Sequence, residues 1–193
     1  MVDTDIGTST NPITLFKNVY STIFLIFSIV LVTGLIFAEQ TGLSHDVHPG
    51  LAIVVLWVAI IWLSMVEGSQ ASFVGLAPVD RELYKDSHPI AYKCSKICHT
   101  ADNLDRYLMG RQFMVIFIVF AVNTAGAPLA NSELWGLPGW ITDIFLVTGF
   151  AMILLTCMVG QLNSQVNASH CMLDYCDNYF ALFTLCVAMA VEF

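Results

Sequence analysis

Apolar residues in this chain come in long, nearly unbroken runs rather than in the one-face patterns of a soluble fold. Five runs approach the roughly 17–25 mostly apolar residues that a helix needs to cross a bilayer. They lie at residues 19–38 ("VYSTIFLIFSIVLVTGLIFA"), 50–67, 111–127, 140–160 and 179–193. The third is apolar early and polar late, and the fifth is still apolar at Phe193. No alternating barrel pattern is visible, and a span in lipid must satisfy its own backbone hydrogen bonds, so helices are expected. The pattern predicts an all-α membrane protein: one domain of five transmembrane helices over 1–193, with a long polar loop at 68–110.

Composition agrees. Of 193 residues, 57% are hydrophobic and 11% charged, and the mean hydropathy is +0.74. Soluble domains carry about a quarter charged residues, so this chain cannot cover a water-facing surface, and the lipid bilayer is its expected surrounding. The N-terminus is polar, acidic and Thr-rich, without the basic start of a cleavable signal, so insertion is expected to rest on the first run itself.

The basic residues orient the bundle. Six of seven (Arg81, Lys85, Lys93, Lys96, Arg106, Arg111) fall between the second and third runs, and Lys17 precedes the first. Positive charge marks the cytoplasmic side, which puts the N-terminus and the 68–110 loop there. An odd number of spans is what one half of an inverted-repeat carrier requires. The expectation is therefore half of a ten-helix carrier, completed by a second half or by a second copy of the chain.

Polar side chains inside spans are costly and therefore functional candidates. They are Glu67 and Gln70; Gln112, Asn123 and Thr124; Asp143 and Thr148; and Gln161, Asn163 and Gln165. Two of them sit in Gly-x-Gln triplets, Gly68-Ser69-Gln70 and Gly110-Arg111-Gln112. Glycine opens backbone geometries closed to other residues, so a helix can break there and expose carbonyls beside a carboxamide that both donates and accepts. Such a site suits a small neutral solute rich in hydroxyls. The plainer reading is a helix cap with an interfacial glutamine.

"NTAGAP" from Asn123 is a further candidate break, where Asn123 and Thr124 oxygens with freed carbonyls would suit Na⁺; small-residue helix packing explains the string equally well. "SQVNASHCMLDYC" brings His170, Cys171 and Asp174 together, with His170 and Asp174 four apart as on one helix face, an incomplete donor set for Zn²⁺. A polar cap before the fifth span is the ordinary reading. "CSKICH" at Cys94 is a weaker version of the same idea. No nucleophile elbow, phosphate loop or paired-metal motif is present, so neither an enzyme nor a nucleic-acid partner is expected.

The strings "EGSQ", "VGLAPVDRELYKDSHP", "DNLDRYLMGRQFMV", "GAPL" and "GQLNSQVNASHCMLDY" resemble the silicon (silicic acid) transporters of diatoms and related algae. The resemblance covers roughly residues 64–192. It implies a ten-span plasma-membrane carrier that imports silicic acid coupled to Na⁺. On this chain the implied substrate-binding residues are Gly68, Ser69, Gln70, Gly110, Arg111 and Gln112, with Glu67 beside them, and a zinc role attaches to Cys171–Asp174. Silicic acid is neutral and carries four hydroxyls, in keeping with an amide-rich, charge-poor site. Alternating access is the expected mechanism, with Gln70 and Gln112 bonding the hydroxyls. The alternative expectation is a non-transporting membrane subunit derived from such a carrier.

Overall fold

The computed structural model describes residues 12–129, 132 and 134–192. The signal-free reading of the first eleven residues falls outside them. Among the described residues the fold is helical, and the one β-bridge, Thr41 to Pro128, is isolated.

Three helices are long and apolar enough to span: α1 (Pro12–Phe37), α2 (Pro49–Leu76) and, after the short α3 (Pro89–Cys98), α4 (Asn103–Gly126). A bent pair, α5 (Gly139–Val147) and α6 (Phe150–His170), meets the same test as a unit and would be a fourth crossing. The bend is 52°. It falls at Gly149, whose φ of +70° is a left-handed conformation that side chains with a Cβ resist. Small α7 (Met172–Cys176) and α8 (Tyr179–Val191) follow.

The starts of α2 and α3 are fixed by caps, one local and one distant. Pro49 opens α2, where no donor is needed, and His48 Nδ1 accepts from the Gly50 amide. Asp177 Oδ1 accepts from the Ile90 and Ala91 amides at 2.8 and 2.9 Å, so a residue from the α7–α8 turn caps α3. At the opposite end, the Leu129 amide donates to the Gln40 carbonyl and ties the α1–α2 connection to the end of α4. The core runs along α2, α4 and α6 through Leu56, Ile60, Leu63, Ile118, Val122 and Leu155, all buried.

The fifth expected span is not confirmed by length. α8 has 13 residues, a rise of about 20 Å, against a hydrocarbon thickness of about 30 Å. Its neighbours explain the rest. Met172 packs on Gly75 near the loop end of α2, and Tyr175 reaches up to donate to the Ser64 carbonyl at 2.7 Å. Phe183 faces Trp62, the Ala188 carbonyl lies against Gly110, and Glu192 pairs with Arg106 in the first turn of α4. The α7–α8 unit therefore packs along α2 and α4, with Asp177 at the loop helix α3 and Val187 and Val191 beside Phe117 and Ala121. The described residues hold three spanning helices, or four with the bent pair, fewer than the five expected.

Candidate functional site

Glycine does something other than expected in both triplets. α2 runs unbroken through Gly68, and α4 through Gly110. Neither is a helix break. A Cβ on Gly68 would lie 2.3 Å from the Tyr175 ring, and one on Gly110 would lie 1.8 Å from the Ala188 carbonyl oxygen. The glycines let the α7–α8 unit press against the two long helices at the depth of the polar cluster.

That cluster is built by the side chains around them. α2 and α4 run antiparallel, which sets Glu67 opposite Arg111. The Arg111 guanidinium donates to Glu67 Oε2 at 3.0 Å, and Gln165 Nε2, from α6, donates to the same oxygen at 2.8 Å. Glu67 is 5% exposed and the Arg111 side chain 11%. A buried ion pair is retained in such surroundings only when further hydrogen bonds complete it. Here Gln165 supplies one, and a second Arg111 N–H group donates to Gln112 Oε1 at 3.1 Å. Among the described residues Glu67 Oε1 has no protein partner, nor does Arg111 Nε.

A cavity of about 380 Å³ opens beside the pair, lined by Glu67, Gln70, Ala71, Val74, Gly75 and Gln165. That is within the usual range for small-ligand sites, where a few polar groups converge on a mostly apolar wall. Gln70 is half-buried, and its carboxamide makes no protein hydrogen bond. A larger hollow of about 590 Å³ between α2, α4 and α8 is wholly apolar, with Val58, Trp62, Phe117 and Val187 in its wall. A third, of about 440 Å³, lies at the far end beside exposed Asp143. Of these three, only the first joins buried charge to an unpaired amide, that of Gln70.

Of the residues the sequence nominated, Glu67 and Gln70 line this cavity, and Arg111 reaches it through Glu67. Ser69 is buried against its own helix, its hydroxyl toward Met65 Sδ. Gln112 is exposed and bonded to Arg111. Gln165, a polar candidate in the sequence with no role assigned, is brought to the cavity by the fold. Its signal was present as a polar side chain next to an apolar run, but its partner lies 98 residues away.

Asn123 and Thr124 lie elsewhere. Both are exposed on α4, which stays helical through Gly126, and the Thr124 hydroxyl donates to the Phe120 carbonyl of its own helix. The helix does not unwind at these two residues, which was the feature that motivated an Na⁺ site there. His170, Cys171 and Asp174 are also separated. α6 ends at His170, the chain turns at Cys171, and Asp174 on α7 pairs with His88 Nε2 at 3.1 Å. No group of three metal-binding side chains comes together among the described residues, so the residues present do not fit Zn²⁺. In "CSKICH", burial pushes the Cys94 and Cys98 thiols up to about 12, which keeps them protonated, and His99 Nε2–H donates to the Phe73 carbonyl.

The family model for silicon transporters matches residues 9–193. The chain belongs to the silicon transporter family. No curated protein and no solved structure matches it. Membership supports a transporter role in a membrane with silicic acid as substrate.

Proposed function

We propose that the Glu67–Gln70 cavity binds silicic acid during Na⁺-coupled uptake by alternating access. The unpaired Gln70 carboxamide beside the free Glu67 Oε1 carries the reading. Silicic acid offers hydroxyls that both donate and accept. Glu67 Oε1 accepts one of them, and Gln70 both accepts and donates. Arg111 neutralises Glu67, so the site takes a neutral solute without an unbalanced charge. Family membership supports the substrate. Na⁺ coupling is part of the same proposal and is not tied to Asn123 and Thr124.

The distribution of Lys and Arg supports a cytoplasmic 68–110 loop, with the cavity toward that side, and the plasma membrane is what the family resemblance implies. A ten-span carrier of two inverted five-span halves requires α8 to cross. A second half or a second copy would then meet the chain at the apolar hollow between α2, α4 and α8. Uptake of silicic acid into vesicles reconstituted with the chain is the test. An inward Na⁺ gradient is expected to accelerate uptake and its collapse to abolish the acceleration. Equal rates with and without the gradient refute the coupling, and no uptake at all favours the non-transporting subunit.

A further inference from the structure

The family resemblance pairs Gln70 with Gln112, but the geometry points to Gln165 as the second carboxamide that contacts the solute, with Gln112 serving only to hold Arg111. This rests on the cavity being the silicic acid site.

Three observations carry it. Gln165 lines the cavity together with Gln70, whereas Gln112 does not. The Gln165 Nε2 amine is committed to Glu67 Oε2 at 2.8 Å, which turns the carboxamide so that its own oxygen has no protein partner. The Gln112 oxygen is already taken by the Arg111 guanidinium at 3.1 Å, and its side chain is exposed on α4. The cavity therefore presents three unpaired acceptors from two parallel helices. Gln70 and Glu67 Oε1 come from α2, and the Gln165 oxygen comes from α6. A tetrahedral acid with four hydroxyls can donate to all three at once. A solute with a single hydroxyl satisfies one and leaves the others unpaired, and sites built around hydrogen bonds reject such analogues strongly. Gln165 thus contributes to specificity for polyhydroxylated neutral acids, from a helix outside both Gly-x-Gln triplets.

Equilibrium binding of silicic acid to the purified full chain in lipid nanodiscs tests this. Gln165→Ala is expected to weaken binding about tenfold, in the range of one lost hydrogen bond within a charged network. Gln112→Ala should stay within about twofold, because the group it loses does not face the solute. Gln165→Ala also removes a donor to Glu67, so a fall of a few degrees in melting temperature is expected, and a cooperative transition like that of the wild type separates a binding effect from misfolding. Gln165→Asn, one methylene shorter, should also bind weakly, since reach is what the site requires. Unchanged affinity in Gln165→Ala, with weakened binding in Gln70→Ala, refutes the role of Gln165 and leaves the cavity standing. Unchanged affinity in both, or no binding by the wild type, refutes the cavity itself. A loss in Gln112→Ala as large as that in Gln165→Ala also overturns the assignment.

Discussion

Gly110→Ala is expected to be the most destabilising small substitution in this protein. The added methyl would sit 1.8 Å from the Ala188 carbonyl oxygen and 2.7 Å from its carbon. Those are backbone atoms of α8, which no rotamer change can move aside. Overpacking a well-filled contact costs about 1–3 kcal/mol and sometimes more. A backbone clash this close belongs at the upper end, a fall in melting temperature on the order of 10 °C for a chain of this size. Gly75→Ala is the matched control. Its methyl would meet the Met172 sulfur at 2.6 Å and the terminal carbon at 2.8 Å, the flexible end of a side chain. Thermal unfolding of both variants in detergent checks this. If Gly110→Ala melts no lower than Gly75→Ala, α8 does not pack on α4 as described.

Removal of the Arg111 charge should have the second-largest effect. Arg111→Met leaves the Glu67 carboxylate buried with Gln165 as its sole protein donor. Breaking a buried ion pair from one side costs about 3–5 kcal/mol, because an uncompensated charge stays behind. Glu67→Gln combined with Arg111→Met removes both charges and should recover most of that loss. Silicic acid binding should not return, since the anionic acceptor is gone. The double-mutant cycle read by thermal unfolding isolates the pair. Additive losses would mean that Glu67 and Arg111 do not stabilise each other.

The helical class and the first four apolar runs could be read directly from the sequence, because lipid tolerates little else and the runs have the right length. The positions of Glu67, Gln70 and Arg111 at helix depth were also legible, since polar groups stand out against apolar neighbours. Their pairing was not. Nothing local to Glu67 says that Arg111, 44 residues on, is its partner; antiparallel packing of α2 and α4 decides it. The two glycines were misread for a related reason. Sequence shows that a glycine permits a break, but not whether another helix needs the space its missing side chain leaves. The last apolar run is not confirmed as a span. α8 starts beside the Asp177 turn at α3, packs Ala188 against Gly110 of α4, and has 13 residues, fewer than a full crossing needs.

The central claim is that silicic acid occupies the cavity between α2 and α6. A cysteine introduced at Ala71, a lining residue without a polar role, reports on this directly once the exposed Cys157, Cys171 and Cys186 are replaced. Silicic acid should slow maleimide labelling of Ala71→Cys in a saturable way, and adding Gln70→Ala should remove the protection. Labelling at an unchanged rate, at every concentration where silicic acid stays monomeric, would contradict the account.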